Sequence, residues 1–211
     1  MTKKALIVAG GWDGHTPKET GALFAALLKG KGYDVVVSDT LASYADKALM
    51  ASVDLVVPMW TMGNIKPEEE KGLLEAVEAG TGIAGMHGGM CDSFRGSLGY
   101  QFMTGGQWVS HPGNNWPEYN VQIIDREHPV THGITDFKLY NTERYWLLVD
   151  PGVKVLDTIY FEDFGVTMPY VWTKSWGKGK VFYAAYGHSH KDFDGAEARQ
   201  LCLNGMIWAT R

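Results

Sequence analysis

The chain has 211 residues, a formal net charge of −5 and a hydrophobic content of 45 %, with 8 Trp, 10 Tyr and 8 Phe. That length suffices for one domain, or a tight pair, with a sizeable core. Its 26 glycines, above the usual ~7 %, mark a loop-rich globular chain rather than a disordered one. The acidic balance offers nucleic acid no basic footprint, and no apolar run approaches the ~18–20 residues that cross a bilayer. After Met1-Thr2-Lys3-Lys4 the apolar stretch lasts only from Ala5 to Ala9, too short for the core of a signal peptide, so a cytoplasmic location is expected. The two cysteines, Cys91 and Cys202, make neither a disulfide framework nor a four-thiolate zinc site.

The first half alternates strand and helix. Ala5-Leu6-Ile7-Val8-Ala9 is a short apolar run ending in Gly-Gly, as in a strand buried on both faces. Thr16-Pro17 opens a helix with Leu23, Phe24, Leu27 and Leu28 at helical spacing, and Gly30 and Gly32 stop it. Asp34-Val35-Val36-Val37-Ser38 and Asp54-Leu55-Val56-Val57 are the next strands. Pro67 with Glu68, Glu69 and Glu70 suits a helix first turn, and Gly80 ends that helix. Gly82-Ile83-Ala84-Gly85-Met86 is a fourth strand. This alternation predicts parallel pairing in a doubly wound α/β sheet.

The second half differs. From Thr104-Gly105-Gly106 to about Pro117, Gly, Pro, Asn and Trp predict a long loop. Loops of that length are usually functional or disordered, and this one is expected to close as a lid. Strands are expected around 119–124, 153–159, 169–173 and 180–186, with a hairpin turn at Gly177-Lys178-Gly179-Lys180. The chain closes on a helix with Ala198, Leu201, Cys202 and Trp208 on one face. We expect a single domain, 1–211, with a β-rich insertion over roughly 104–175.

Open α/β sheets bind ligands outside the carboxyl ends of their strands. Four of the seven histidines, His15, His87, His188 and His190, directly follow predicted strands and so fall on one sheet edge. His15, His87 and His188 are expected to converge there. Trp12, Asp13, Trp60, Trp108 and His111 occupy the same loops, where flat rings stack on sugars; we take these five as substrate-binding candidates. His128 and His132 flank Pro129 in a turn and read as structural. No G-x-G-x-x-G, Walker A, C-x-x-C or H-E-x-x-H pattern is present, so no nucleotide is expected. Any metal site must be assembled from separate loops.

Six segments carry a resemblance: Gly10-Gly11 with His15; Gly85-Met86-His87-Gly88-Gly89; Gly105-Gly106-Gln107-Trp108-Val109-Ser110-His111-Pro112; His128-Pro129-Val130-Thr131-His132-Gly133-Ile134; Glu143-Arg144-Tyr145; and Gly179-Lys180-Val181-Phe182-Tyr183 with Gly187-His188. Together, in this order, they resemble the ThuA-like (trehalose utilisation) family across nearly the whole chain. That resemblance implies a flavodoxin-like sheet within the class I glutamine-amidotransferase-like superfamily. Those enzymes place a nucleophilic Cys at the centre of a Gly-x-Cys-x-Gly elbow, where this chain has His87. An imidazole there is a poor acyl acceptor but a good metal ligand or proton carrier. His188 falls where the superfamily's general-base His is expected. The Thr142-Glu143-Arg144-Tyr145 segment departs from the expected Asp-Glu-Leu-Tyr and leaves Arg144 without a role.

The resemblance implies action on an oxidised sugar such as a 3-keto-glycoside. A 3-keto group acidifies the hydrogen at C2, so the glycosidic oxygen can leave by β-elimination; hydration or isomerisation would use the same enolised centre. A divalent cation (Zn, Mn or similar) would stabilise the charge that develops, and imidazoles plus a carboxylate suit such an ion. The metal candidates are His15, His87, His188 and His190; the catalytic candidates are His87, His188, Glu143 and Tyr145. Ordinary glycosidases need two positioned carboxylates, and nothing pairs Asp13, Asp92, Glu143 or Asp192. The alternatives are a metal-independent amidotransferase-like hydrolase using Cys91 or Ser189, or a non-catalytic sugar-binding or regulatory module. The expected partner is a small sugar, with neither nucleic acid nor membrane, and a homo-oligomer stays open.

Overall fold

The computed structural model describes residues 2–211. Its core is a nine-stranded mixed sheet. The strands, in chain order, are β1 (Lys4–Gly11), β2 (Asp34–Ser38), β3 (Leu55–Thr61), β4 (Gly82–Met86), β5 (Gly106–Ser110), β6 (Asn115–Ile123), β7 (Phe137–Glu143), β8 (Trp146–Val149), β9 (Lys154–Phe161), β10 (Val166–Trp176) and β11 (Gly179–Ala184). The large sheet runs β2-β1-β3-β4-β11-β10-β9-β6-β7, and β5 pairs with β8 in a second, two-stranded sheet. From β2 to β11 neighbours are parallel; from β11 to β7 they are antiparallel. β11 therefore joins the two regimes. Residues 5–8 of β1 are fully buried, as a continuous apolar run requires.

The helices are α1 (Pro17–Gly30), α2 (Lys47–Ser52), α3 (Pro67–Ala79), α4 (Gly88–Cys91), α5 (Leu98–Thr104) and α6 (Ala196–Ala209). Pro17 and Pro67 sit in first turns, where a missing N–H costs nothing. The Glu69 carboxylate accepts the Lys66 N–H at 2.9 Å, closing the first turn of α3. Phe24 and Leu28 bury one face of α1, and Leu73 and Val77 that of α3. Gly205 lets α6 lie on the sheet, since a Cβ there would stand 2.4 Å from the Phe182 ring.

Two expectations need correction. The stretch 104–117 is not a long loop. α5 ends at Thr104, β5 occupies 106–110, and β6 begins at Asn115. The glycines there serve tight packing: Gly105 caps α5 at φ 83°, and the Trp172 ring lies where a Gly106 Cβ would project. Trp172 Nε1 donates to the Thr104 carbonyl at 2.9 Å, and Trp116 Nε1 to the Pro112 carbonyl at 2.7 Å. Only 111–114 remains as a turn. Second, β7 and β8 were not anticipated. β7 is an edge strand whose alternation breaks: Tyr140 is exposed, Asn141 takes φ 51°, and the buried Thr142 is polar.

Asp157, on β9, is fully buried. The Val171 N–H lies near it, yet neither carboxyl oxygen makes a hydrogen bond of normal geometry. Burial pushes this carboxyl well above its usual range, because a buried lone charge is expensive. A raised carboxyl binds its proton in the fold at pH values where the unfolded chain has lost it. Stability should therefore be intact below about pH 4 and fall as pH rises toward the folded-state value. Asp157→Asn should remove that slope, gaining about 1–3 kcal/mol over wild type at pH 8 and nothing at pH 4. Urea unfolding at the two pH values measures this; equal gains at both would contradict it.

Candidate metal centre

Four side chains from four separate segments meet at the carboxyl edge of the parallel strands. A 3-10 turn, Asp13–His15, folds back from β1 and delivers His15, whose Nδ1 lies 2.9 Å from the Thr61 hydroxyl at the end of β3. His87 stands between β4 and α4 at φ 47° and ψ −138°, the strained turn that exposes an elbow side chain. Its Nδ1 is 2.9 Å from the Ala185 carbonyl. A carbonyl can only accept, so Nδ1 carries a hydrogen and Nε2 is the ring nitrogen turned toward the other three residues. Glu143 ends β7 and His188 follows β11.

One Glu143 oxygen, Oε2, is 3.3 Å from both His87 Nε2 and His188 Nδ1. The ring centres of His15 lie 4.7 Å from His87 and 5.1 Å from His188. One donor atom from each of the four residues falls within 4.8 Å of the others. His87 Nε2, Glu143 Oε2 and His188 Nδ1 are buried without a hydrogen-bond partner, although buried polar atoms are almost always satisfied. These four donors could hold a divalent ion. Tetrahedral bonds of ~2.0–2.1 Å set donors about 3.3–3.4 Å apart, and the two Glu143 separations match.

The electrostatics differ among the members of the group. Burial, reinforced by the neighbouring imidazoles of His87 and His188, lowers His15 to about 2, so it is neutral. Burial works to raise Glu143, but the imidazoles of His188 and His87 outweigh it and hold the carboxyl below its usual range. The Glu143 carboxylate, 3.3 Å away, raises His188 despite burial. Tyr145 stacks on His87 with centres 3.8 Å apart, and burial, then the charge of Asp92, keeps its phenol protonated.

The other candidates divide. Trp12 sets its ring edge 4.8 Å from His15 and is 47 % exposed. Trp108 lies 5.7 Å from His111 and 6.1 Å from Tyr145. Trp60 packs instead over Gly10, and Asp13 is exposed. His190 stands outside the four-residue group. Its N–H and Nδ1 are 2.9 and 3.3 Å from Thr16 Oγ1, because the chain turns into a 3-10 segment, His190–Phe193, at this residue. Cys91 is buried, and burial pushes its thiol up, which does not suit a nucleophile.

Three supporting residues escaped the sequence reading. Thr61 orients His15, and the Tyr170 hydroxyl accepts the Tyr145 N–H at 2.8 Å. Asp192 Oδ2 accepts from the Gly187 and His188 N–H groups and from Thr142 Oγ1 at 3.1, 2.9 and 2.7 Å, tying the His188 loop to β7. Only the Asp192 carboxylate left a trace in the sequence, and nothing there pairs it with position 142.

Gly88 is the tightest point. A Cβ there would meet His15 Cε1 at 2.6 Å, His15 Nδ1 at 2.7 Å and the Tyr145 hydroxyl at 2.9 Å. Gly88→Ala should displace both rings and weaken Zn2+ or Mn2+ binding at least tenfold, as loss of ligand support does, with the protein still folded. Calorimetric metal titration checks this, and unchanged affinity would remove the group as a metal site.

The family model described as trehalose utilisation, ThuA, matches residues 4–209, whereas no curated protein sequence matches significantly. Among solved structures, the fold is similar to a ThuA-like protein from Bacteroides uniformis, at 19 % identity and TM-score 0.79, covering 98 % of this chain and 91 % of that one. It is also similar to a cytoplasmic protein from Salmonella typhimurium, at 14 % identity and TM-score 0.71, covering 99 % and 100 %. A third likeness is to a β-galactosidase from Rahnella, at 20 % identity and TM-score 0.62, covering 96 % of this chain but 32 % of that one. No helix is long and apolar enough to cross a membrane among the described residues. The chain belongs to the ThuA family.

Proposed function

We propose that this protein is a carbohydrate-metabolism enzyme that acts on keto-sugars, in particular 3-keto-glycosides, by proton abstraction and elimination. The observation that carries this reading is the trio of buried, unpartnered donors His87 Nε2, Glu143 Oε2 and His188 Nδ1. Membership in a family described by trehalose utilisation supports a carbohydrate-related role. The β2-β1-β3-β4-β11 order supports a flavodoxin-like, doubly wound reading of the parallel half, with 104–175 as a β-rich part of one domain.

His15, His87 and His188 would hold a divalent cation with a coordination position left open, and Glu143 would stand beside it. The cation would supply Lewis-acid stabilisation to the charge that develops on a ketone oxygen. Glu143, the one anion of the group, takes the proton from the carbon beside the ketone. Tyr145 is protonated and beside Gly88; it hands a proton to the departing glycosidic oxygen. Trp12, Trp108 and His111 flank this point and bind the sugar. A Cys91 hydrolase is disfavoured, because that thiol is 2 % exposed.

Incubation with 3-keto-glucosides, with and without chelator, followed by mass spectrometry of the products tests the reading. We expect elimination that chelation abolishes and Zn2+ or Mn2+ restores. Glu143→Gln should lower turnover ~10²–10⁴-fold at saturating metal, while Cys91→Ser stays within about tenfold of wild type, unlike loss of a nucleophile. Full turnover after exhaustive chelation, or an inactive but folded Cys91→Ser, would refute the proposal.

A further inference from the structure

Arg95 has no part in the chemistry above, yet it is not held like an ordinary surface arginine. It lies just beyond α4 with its side chain 45 % exposed. Its Nε and Nη2 lie 2.5 and 3.0 Å from the two oxygens of Asp92, and Asp92 is only 2 % exposed. A two-point grip by a buried carboxylate leaves the guanidinium one plane. In that position its Cζ is 4.4 Å from the centre of the Trp108 ring, within range for a cation–π contact. Trp108 reaches Tyr145 at 6.1 Å, and Tyr145 stacks on His87 at 3.8 Å. One continuous wall therefore runs from Arg95 to the metal group. Trp108 Nε1 is buried there without a partner.

Asp92 engages two of the five guanidinium N–H donors, and three remain. Because Asp92 already balances the charge, the free edge offers donors with little net attraction for an anion. Paired hydroxyls on a neutral ring suit such an edge, and the Trp108 face suits the apolar side of a pyranose.

We propose that Arg95 and Trp108 form a subsite for the neutral second ring of a disaccharide, beyond the ring that reacts, with Asp92 as the positioning residue. Its orientation rests on the keto-glycoside reading above. Unoxidised sugars test it, because they cannot undergo the elimination. Titration calorimetry on the intact, Zn2+-supplemented protein would compare trehalose, maltose and cellobiose with methyl α- and β-glucoside. At least one disaccharide should bind wild type tenfold or more tighter than the methyl glucosides. Arg95→Ala should reduce that ratio to within twofold and leave methyl glucoside affinity and metal content unchanged. Arg95→Lys keeps a cation beside Asp92 but loses the fork, and should also lose most of the preference. A wild-type ratio near one, an absence of measurable binding, or a preference that survives both variants would overturn the subsite. Tighter binding of a glucuronide than of any disaccharide would overturn the choice of a neutral ring. An Arg95-dependent preference without turnover of keto-glycosides would instead overturn the function and leave the subsite standing.

Discussion

The backbone at His87 sits at φ 47° and ψ −138°, a conformation that a residue with a side chain keeps only when its surroundings enforce it. The His87 N–H donates to the Ala184 carbonyl at 2.7 Å, and the Tyr183 hydroxyl donates to the His87 carbonyl at 3.1 Å. Both partners belong to β11, the strand that joins the parallel and antiparallel regimes. The Ala185 carbonyl, one residue beyond, then selects the imidazole tautomer. The strain at the elbow is thus held by the middle of the sheet, where exposure is essentially zero.

That placement explains why the site draws on both halves of the sheet. The parallel half brings His15 and His87 to its carboxyl edge. Glu143 and Tyr145 come from the far edge of the antiparallel half, by way of β7. The hydrogen bonds of Asp192 to the His188 loop and to Thr142 bridge the two. Glu143 is the one carboxylate of a group that otherwise holds three imidazoles. Without it, three imidazoles would face one another with no anion to balance a cation.

Much of the parallel half was legible because its signals are local. A buried parallel strand needs an uninterrupted apolar run, so β1, β3 and β4 stand out. The strand-end rule then marks the residues that follow, which is how His15, His87 and His188 emerged. The stretch 104–117 misled because glycine means two things. It permits a loose loop, and it also admits a large ring at close range; Trp172, 66 residues after Gly106, is what decides between them.

The sequence by itself determined the alternation of elements, the sheet edge that carries chemistry, and a histidine in place of a thiol at the elbow. It also established the family resemblance, since six short motifs in order survive without coordinates. Tertiary structure decided which candidates meet. His188 and His190 are two residues apart, yet one faces Glu143 at 3.3 Å and the other faces Thr16. No periodicity separates them, because the 3-10 turn that parts them is held by Asp192 and by contacts with residues 50 and 174 positions away. Donor geometry depends on such long-range hydrogen bonds, and these come into existence only when the sheet closes.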